Sequence, residues 1–263
     1  MNKIIIVAAF TALCMLASCK REGPASATDK NKHLKALGAS SYDEMVQMYT
    51  SMNYEIRLGA KANLGLVPSR DKRYQLTGSI PGTYPNPVSI ILPTGTYQLN
   101  QQVSIDGGSK NQVFVRSGVF DQLYSTNVPV TLLDGRDSYS GVIYSSPPLV
   151  ARKLTQGSSI HINRTGNTMT WNADPNNAIG ILLQYKLYSS SDLTNPASLM
   201  QINYINVPDN GSYNIDNLLS DPNVKAIDIG LYRGNAVEFT SSSTGKNFVI
   251  DIISTDFHIY FIN

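Results

Sequence analysis

Cysteine, glutamate, histidine and tryptophan are all scarce in this sequence of 263 residues. It holds two cysteines, four glutamates, three histidines and one tryptophan, and charged residues make up only 15% of it. Few glutamates argue against a mostly helical chain. A formal net charge of +2 does not provide the concentrated basic face that nucleic-acid binding needs. Both cysteines lie within the first 19 residues, so the sequence predicts no disulfide framework beyond them.

Glycine, tyrosine and proline are plentiful instead, with 19, 15 and 13 copies. From Tyr74 onward, short runs rich in β-branched and aromatic residues alternate with Gly, Pro and Asn clusters, a pattern typical of sandwiches. A stretch rich in Pro and Ser between residues 140 and 159 indicates a boundary. We therefore predict an all-β chain with two immunoglobulin-like β-sandwich domains, over residues 41–150 and 151–263.

The N-terminus contains an uncharged apolar run from Ile4 to Leu16. It is shorter than the ~20 residues that a membrane-spanning helix needs, but it suits the apolar part of a secretory signal. The following letters LASC resemble the bacterial lipoprotein signal, which implies cleavage after residue 18 and acylation of Cys19. An ordinary signal with a chance cysteine is the alternative. We expect a signal peptide over 1–18, a flexible tether over 19–40, and anchorage in the bacterial envelope, at the outer membrane, with the surface or periplasmic face left open.

Residues 41–57 fit two local structures. Ser41 stands three residues before Glu44, which is the spacing of a helix capping box. Met45, Gln47 and Tyr49 alternate with Val46, Met48 and Thr50, which a strand would also produce. The sequence leaves helix and strand open here.

The segment from Leu92 to Asp134 contains a Pro-x-Gly-x-Tyr strand entry (Pro93, Gly95, Tyr97) and an Ile-x-x-Gly turn (Ile105, Gly108). It resembles an uncharacterised N-terminal β-sandwich domain of Bacteroidota surface lipoproteins that accompanies glycosidase or lectin-like domains. The strand that often reads Leu-Pro-Val in that domain reads Val128-Pro129-Val130 here. The resemblance implies a sandwich with an accessory role, and it carries no catalytic residue over.

Motifs for catalysis are missing from the sequence. There is no metalloprotease, esterase or nucleotide-binding signature, and His33, His161 and His258 are far apart. We expect His161 and His258 on solvated strand faces. The Asp/Asn turns 172–177 and 207–212 could supply oxygens to Ca²⁺, but Asx turns explain them more simply. We predict no enzyme activity, no cofactor and no metal.

Binding residues are the remaining candidates. Trp171 alternates with Met169, which favours a place in a core, whereas an exposed aromatic platform is the alternative. We predict ligand contacts from Trp171, Asp174, Asn176 and Tyr188. The aromatic side chains that we expect to be exposed are Tyr139, Tyr144, Tyr188 and Tyr260.

These observations favour a non-catalytic binding or accessory module, anchored to a membrane through Cys19, for extracellular glycan. The alternative is a structural component of an envelope protein complex, and a small hydrolase comes third. The expected partners are the membrane and either a polysaccharide or an envelope protein, without nucleic acid.

Overall fold

Strands dominate the described part of the chain. The computed structural model describes residues 36–61, 74–80, 84–85, 87–99, 101–103, 109–114, 121–135, 137–154 and 160–263. In chain order its strands are β1 (Ala36–Leu37), β2 (Tyr54–Lys61), β3 (Tyr74–Ser79), β4 (Val88–Leu92), β5 (Gly95–Gln98), β6 (Gln101–Val103), β7 (Ser109–Phe114), β8 (Thr126–Asp134), β9 (Asp137–Ser145), β10 (Ala151–Arg152), β11 (His161–Ile162), β12 (Thr168–Trp171), β13 (Ile181–Tyr188), β14 (Leu199–Val207), β15 (Ser212–Asn214), β16 (Ala226–Thr240) and β17 (Asn247–Ile262). The helical elements are α1 (Tyr42–Ser51) and the 3-10 turns Asp121–Leu123, Pro196–Ser198 and Asp216–Leu219.

The strands form three sheets. A long sheet of nine strands has the order β14-β13-β16-β17-β2-β3-β7-β6, and β11 pairs with the end of β17. A five-stranded sheet has the order β1-β9-β8-β4-β5, and a three-stranded sheet has the order β10-β12-β15. The predicted all-β sandwich class is confirmed.

Two apolar cores lie on the same face of the long sheet, which we call its inner face. The first core joins Ile90 and Leu132 of the five-stranded sheet to Ile56 and Phe248 of the long sheet. All four side chains are at most 1% exposed, so this core is fully closed to water. Burial of such side chains, at about 25 cal/mol per Å² of apolar surface, is the main force that holds the two layers together.

The second core lies under the three-stranded sheet. Met169 and Trp171 pack there against Leu183 and Ile229 of the long sheet. Burial alternates along β13, as the sequence pattern of its apolar residues predicts.

Strands β16 and β17 supply side chains to both cores. The sequence predicts two separate strands here, over the runs NFVIDII and FHIYFIN. The structure joins both runs in β17 through Ser254, Thr255 and Asp256. Two of these side chains bind the segment after β9: Leu149 N–H donates to Ser254 Oγ (2.8 Å) and Ala151 N–H donates to Asp256 Oδ2 (2.9 Å). The expected boundary at residue 150 follows Leu149, which is part of the second core, and the long sheet continues under both cores.

The end of the expected tether is part of the fold, which corrects the prediction for residues 36–40. Gly38 N–H donates to the Val142 carbonyl (2.7 Å) and Ala39 N–H donates to the Ala236 carbonyl (2.9 Å). Ala39 is buried, so this segment gains apolar burial as well as hydrogen bonds. Residues 1–35, which include Cys19, lie outside the described residues.

Residues 41–57 contain both of the local structures that the sequence left open, one after the other. Ser41 caps α1 by accepting from Glu44 N–H (3.2 Å), and the Glu44 carboxylate accepts from Ser40 N–H (2.7 Å). This capping satisfies amide groups that a helix start leaves unpaired. Strand β2 begins three residues after α1 ends. No helix in the described ranges has the length and apolar character needed to cross a membrane.

Candidate functional site

A cavity of about 300 Å³ lies on the outer face of the long sheet, opposite the two cores. Helix α1 forms one wall with Tyr42, Met45 and Tyr49, while the sheet contributes Tyr204 from β14 and Tyr232 from β16. The volume is at the lower end of the range of ~300–1,000 Å³ that is typical of small-molecule sites. The cavity therefore brings four tyrosines to one place.

Helix α1 is held in position by a small apolar cluster on the outer face. Met48 is buried there with Ile179, Ala236 and Val249, and Tyr42, Met45 and Tyr49 pack around it. Positions 42, 45, 48 and 49 lie on one face of a helix with 3.6 residues per turn. The same spacing that attaches the helix to the sheet thus directs its tyrosines towards the cavity.

A hydrogen-bonded row of polar groups crosses the sheet beside the cavity. Tyr232 O–H donates to Gln184 Oε1 (3.0 Å), and Gln184 Nε2 donates to the Tyr204 hydroxyl (2.8 Å). A tyrosine hydroxyl that accepts one hydrogen bond can still donate its own proton. Tyr204 is 57% exposed, so its ring and hydroxyl are accessible to a ligand.

A buried carboxylate lies next to the opposite wall. Asp251, whose side chain is 0% exposed, accepts from Tyr49 O–H (2.5 Å) and from Arg57 Nε (3.1 Å) and Nη2 (3.0 Å). Arg57 also binds Glu55 through Nη2 (2.6 Å). Two carboxylates therefore share one guanidinium, and these contacts keep Arg57, a cavity-lining residue, in a fixed orientation.

This environment changes the acidity of two neighbouring groups. Burial, followed by the charge of Asp251, raises the pKa of the Tyr49 phenol far above its ordinary value of 10.0. Burial and then Asp251 also raise the pKa of Glu55 above 4.5. Both shifts follow from removing charge from water next to an existing negative charge.

The cavity has the chemistry of a binding site. Its described lining is tyrosine, methionine, aliphatic and glycine residues together with Gln184, Arg57 and Arg233. Among these lining residues there is no histidine, serine or cysteine to act as base or nucleophile. Aromatic faces with a few hydrogen-bonding groups can hold a ligand that has both apolar and hydroxyl surface.

Trp171, the first predicted ligand contact, lies in the second core and is 6% exposed, which agrees with the core interpretation. Its Nε1 donates to Asp209 Oδ1 (2.9 Å), and the same carboxylate accepts from Arg233 Nη2 (2.8 Å) and Asn177 Nδ2 (3.0 Å). The indole is thus packed and hydrogen-bonded within the protein.

The other three predicted ligand contacts, Asp174, Asn176 and Tyr188, do not form a site together with Trp171. Asp174 is buried and accepts from Tyr144 O–H (3.2 Å) and from Asn176 N–H (3.2 Å), while the Asn176 side chain is exposed. Tyr188 lies at the far end of β13, about 20 Å from the start of that strand. It shares the strand face of Gln184 but is buried.

The two turns considered for calcium use their oxygens within the protein. Asp174 forms an Asx turn with Asn176 N–H, and Asn210 Oδ1 accepts from Ser212 N–H (3.3 Å). Asp209 is occupied by Arg233 and its neighbours. In the described ranges, no group of three His, Cys, Asp or Glu side chains could hold a metal ion.

Several exposure predictions were wrong. Tyr139 (2%), Tyr188 (9%) and Tyr260 (2%) are buried, and Tyr144 is half-buried. His258 is also buried, at 5%, because its side of β17 is covered by the segment after β9. His161 is exposed as predicted, and His33 lies outside the described residues.

A second cavity, of about 530 Å³, lies beside β1. Leu37, Asn127, Tyr144 and Asn235 are among its lining residues. With a single aromatic side chain and a more open shape, it offers less surface for stacking than the tyrosine-lined cavity. We therefore place the candidate site at the tyrosines.

Sequence reasoning missed Tyr42, Tyr49, Tyr204 and Tyr232. The alternation along β13 did place Gln184 on the face opposite the core, and that was the available signal. Tyr204 and Tyr232 lie next to Gln184 only because of strand pairing, which sets Tyr204 opposite Gln184 and Tyr232 opposite Leu182. Pairing over such separations is not encoded in local sequence patterns.

Comparisons with known proteins give little. No protein-family model matches the chain, and no curated protein matches it. A crystal structure of a tandem from titin is similar at 12% identity and a TM-score of 0.17, and the match covers 80% of this chain and 66% of that one. The chain thus spans slightly less than two thirds of the titin tandem. A TM-score this low carries no argument about topology or function.

Proposed function

We propose that this protein is a non-catalytic binding module of the bacterial envelope, and that its tyrosine-lined cavity takes part of an extracellular glycan. The observation that carries the proposal is the grouping of Tyr42, Tyr49, Tyr204 and Tyr232 around one cavity of about 300 Å³. Tyrosine rings stack on the apolar faces of sugar rings, and the Tyr204 hydroxyl and Gln184 amide can bind sugar hydroxyls.

The expected affinity is low. A shallow site with few polar groups gains little beyond the cost of immobilising the ligand, so we expect a dissociation constant of about 0.1–1 mM for one short segment. Several anchored copies on one membrane would raise the overall avidity without new contacts. This behaviour fits an accessory protein that retains polymer at the envelope.

The test is affinity gel electrophoresis of the purified protein in gels that contain individual soluble polysaccharides. At least one polysaccharide should retard the wild type, and Tyr204→Ala should abolish the retardation because it removes the most exposed ring. Val150→Ala is the matched control, since Val150 is 45% exposed but lies outside the cavity. Absence of retardation across a broad panel would refute the glycan proposal. Release of reducing ends by the purified protein would instead support a hydrolase.

The lipid anchor is proposed from the sequence alone, because the letters LASC at residues 16–19 resemble the bacterial lipoprotein signal. Cells that express the protein should incorporate labelled fatty acid into it, and Cys19→Ala should abolish the label. Retention of the label by that variant would remove the anchor from the proposal. Membrane fractionation of the same cells would then test the proposed position at the outer membrane, on either face.

The scaffold alternative also has a structural observation in its favour, which is the long exposed edge strand β14.

A further inference from the structure

Strand β14 differs from the other strands at the edges of the described sheets. It runs for nine residues, whereas the other edge strands β1, β5, β6, β10, β11 and β15 have between two and four residues. Short edges are one way in which proteins prevent unwanted strand pairing. Among the described residues no strand pairs with the second edge of β14, so a long row of its backbone groups has no strand partner there.

The other usual protections are also missing from β14. Its sequence LMQINYINV contains no charged residue and no proline. Its register shift against β13 lies at one end, beside Leu199, so the rest of the strand is regular. Met200 (40%), Ile202 (45%) and Tyr204 (57%) are exposed on the outer face. An uncharged, regular, apolar edge of this length favours pairing with another strand.

We propose that the partner is β14 of a second copy of this chain, paired antiparallel about a two-fold axis at Ile202. In this register Ile202 lies opposite its own copy, and Met200 lies opposite Tyr204. On the other face Gln201 lies opposite Asn203. Apolar side chains thus meet apolar ones and polar side chains meet polar ones, because residues 200–204 are symmetric in polarity about their middle residue. The two long sheets then form one continuous sheet.

Charge is compatible with self-pairing. Two copies of an uncharged strand meet without the repulsion that a charged edge would have with itself. Lys186 stands next to Ile202 on the neighbouring strand, and it is paired with Asp228 (Nζ to Oδ2, 3.6 Å). A foreign partner selected by charge would find no charged side chain on this strand. The absence of charge and the symmetric order of polar and apolar residues in 200–204 therefore both fit pairing with a second copy.

The dimer also has a consequence for the cavity. Residues opposite each other in an antiparallel pair point to the same face, so the outer faces of both copies lie on one side of the joined sheet. Tyr204 belongs both to β14 and to the cavity wall. Two cavities would therefore flank the seam on one surface, which is the arrangement that gives avidity for a repeating polymer.

The first test is the oligomeric state of the purified protein by sedimentation velocity, without any ligand. The wild type should be a dimer, and Ile202→Lys should raise the dimer dissociation constant by about tenfold or more, because it places a charge at the seam. Val150→Lys is the control, since Val150 has the same 45% exposure but lies outside β14. A wild type that stays monomeric at all accessible concentrations would overturn the inference, as would a dimer that both lysine variants retain.

A cross-linking measurement fixes the register and does not depend on the folding of a lysine variant. In a background with Cys14→Ser and Cys19→Ser, Ile202→Cys should form a disulfide dimer, because residues directly opposite each other have Cα atoms about 4.5–5.5 Å apart. Asn206→Cys should not, since its two copies would be about 27 Å apart in this register. Equal cross-linking at both positions, or none at residue 202, contradicts the proposed pairing. Neither experiment involves glycan, so their failure would leave the proposed binding function untouched.

Discussion

Asp209 and Asp251 are both carboxylates with almost no solvent exposure, and each binds an arginine, but they lie on opposite faces of the long sheet. Asp209 is bound on the inner face by Arg233, and both side chains are at most 1% exposed. Asp251 is bound on the outer face by Arg57, whose side chain is 39% exposed, and by the Tyr49 hydroxyl. The same interaction is therefore closed to water in one place and next to a solvent-accessible cavity in the other.

The difference indicates two roles. Arg233 also donates to the Pro147 carbonyl (3.2 Å) and to the Asn172 carbonyl, so it joins β16 to the segments that follow β9 and β12. Its side chain is 0% exposed. Arg57, in contrast, positions polar groups beside the cavity. We infer that the inner pair stabilises the fold and that the outer pair shapes the cavity.

The largest expected effect is that of Arg233→Met. It leaves Asp209 buried without its cation, which costs about 3–5 kcal/mol of the free energy of unfolding. Chemical denaturation followed by circular dichroism measures this loss. Lys186→Met is the matched control, because its pair with Asp228 is partly exposed (35% and 22%) and should contribute less than about 1 kcal/mol. Similar losses in the two variants would contradict a structural role for the inner pair.

Arg57→Met should have a smaller effect, of about 1–3 kcal/mol. The Tyr49 hydroxyl remains bonded to Asp251, and water in the cavity can approach the place that the guanidinium leaves. The same denaturation experiment, run in parallel with Arg233→Met, measures the difference. The comparison fails if the outer variant loses as much stability as the inner one.

The fold class and most strand positions were predictable, because alternation along β13 and the turn residues are local signals. The continuity of β16 and β17 was not. Polar residues such as Ser254 and Asp256 normally indicate a strand end, and here they are buried because they bind the backbone of residues 149 and 151. Nothing in the local sequence shows that such partners exist.

The candidate site was less predictable than the fold. It is formed by α1, β13, β14 and β16, which are brought together from positions up to about 190 residues apart. Ligand contacts were predicted instead at the single tryptophan and at an Asp-rich turn, because these residue types often bind ligands. In the structure Trp171 donates a hydrogen bond to Asp209 inside the protein, and Tyr144 donates one to Asp174.

The smallest expected effect concerns pH and tests the outer cluster alone. Burial and Asp251 raise the pKa of Tyr49 in the folded state above the value of about 10 that it has when unfolded. A group with a raised folded pKa contributes stability that is present below the unfolded pKa and is lost as pH rises above it. The free energy of unfolding of the wild type should therefore fall between about pH 9 and pH 11. That of Tyr49→Phe should fall less steeply, because phenylalanine has no proton to lose at that position. The comparison between about pH 7 and pH 9 is the control, since tyrosines there stay protonated in both states. Equal slopes for wild type and Tyr49→Phe above about pH 10 would show that this hydroxyl is not held next to the Asp251 carboxylate.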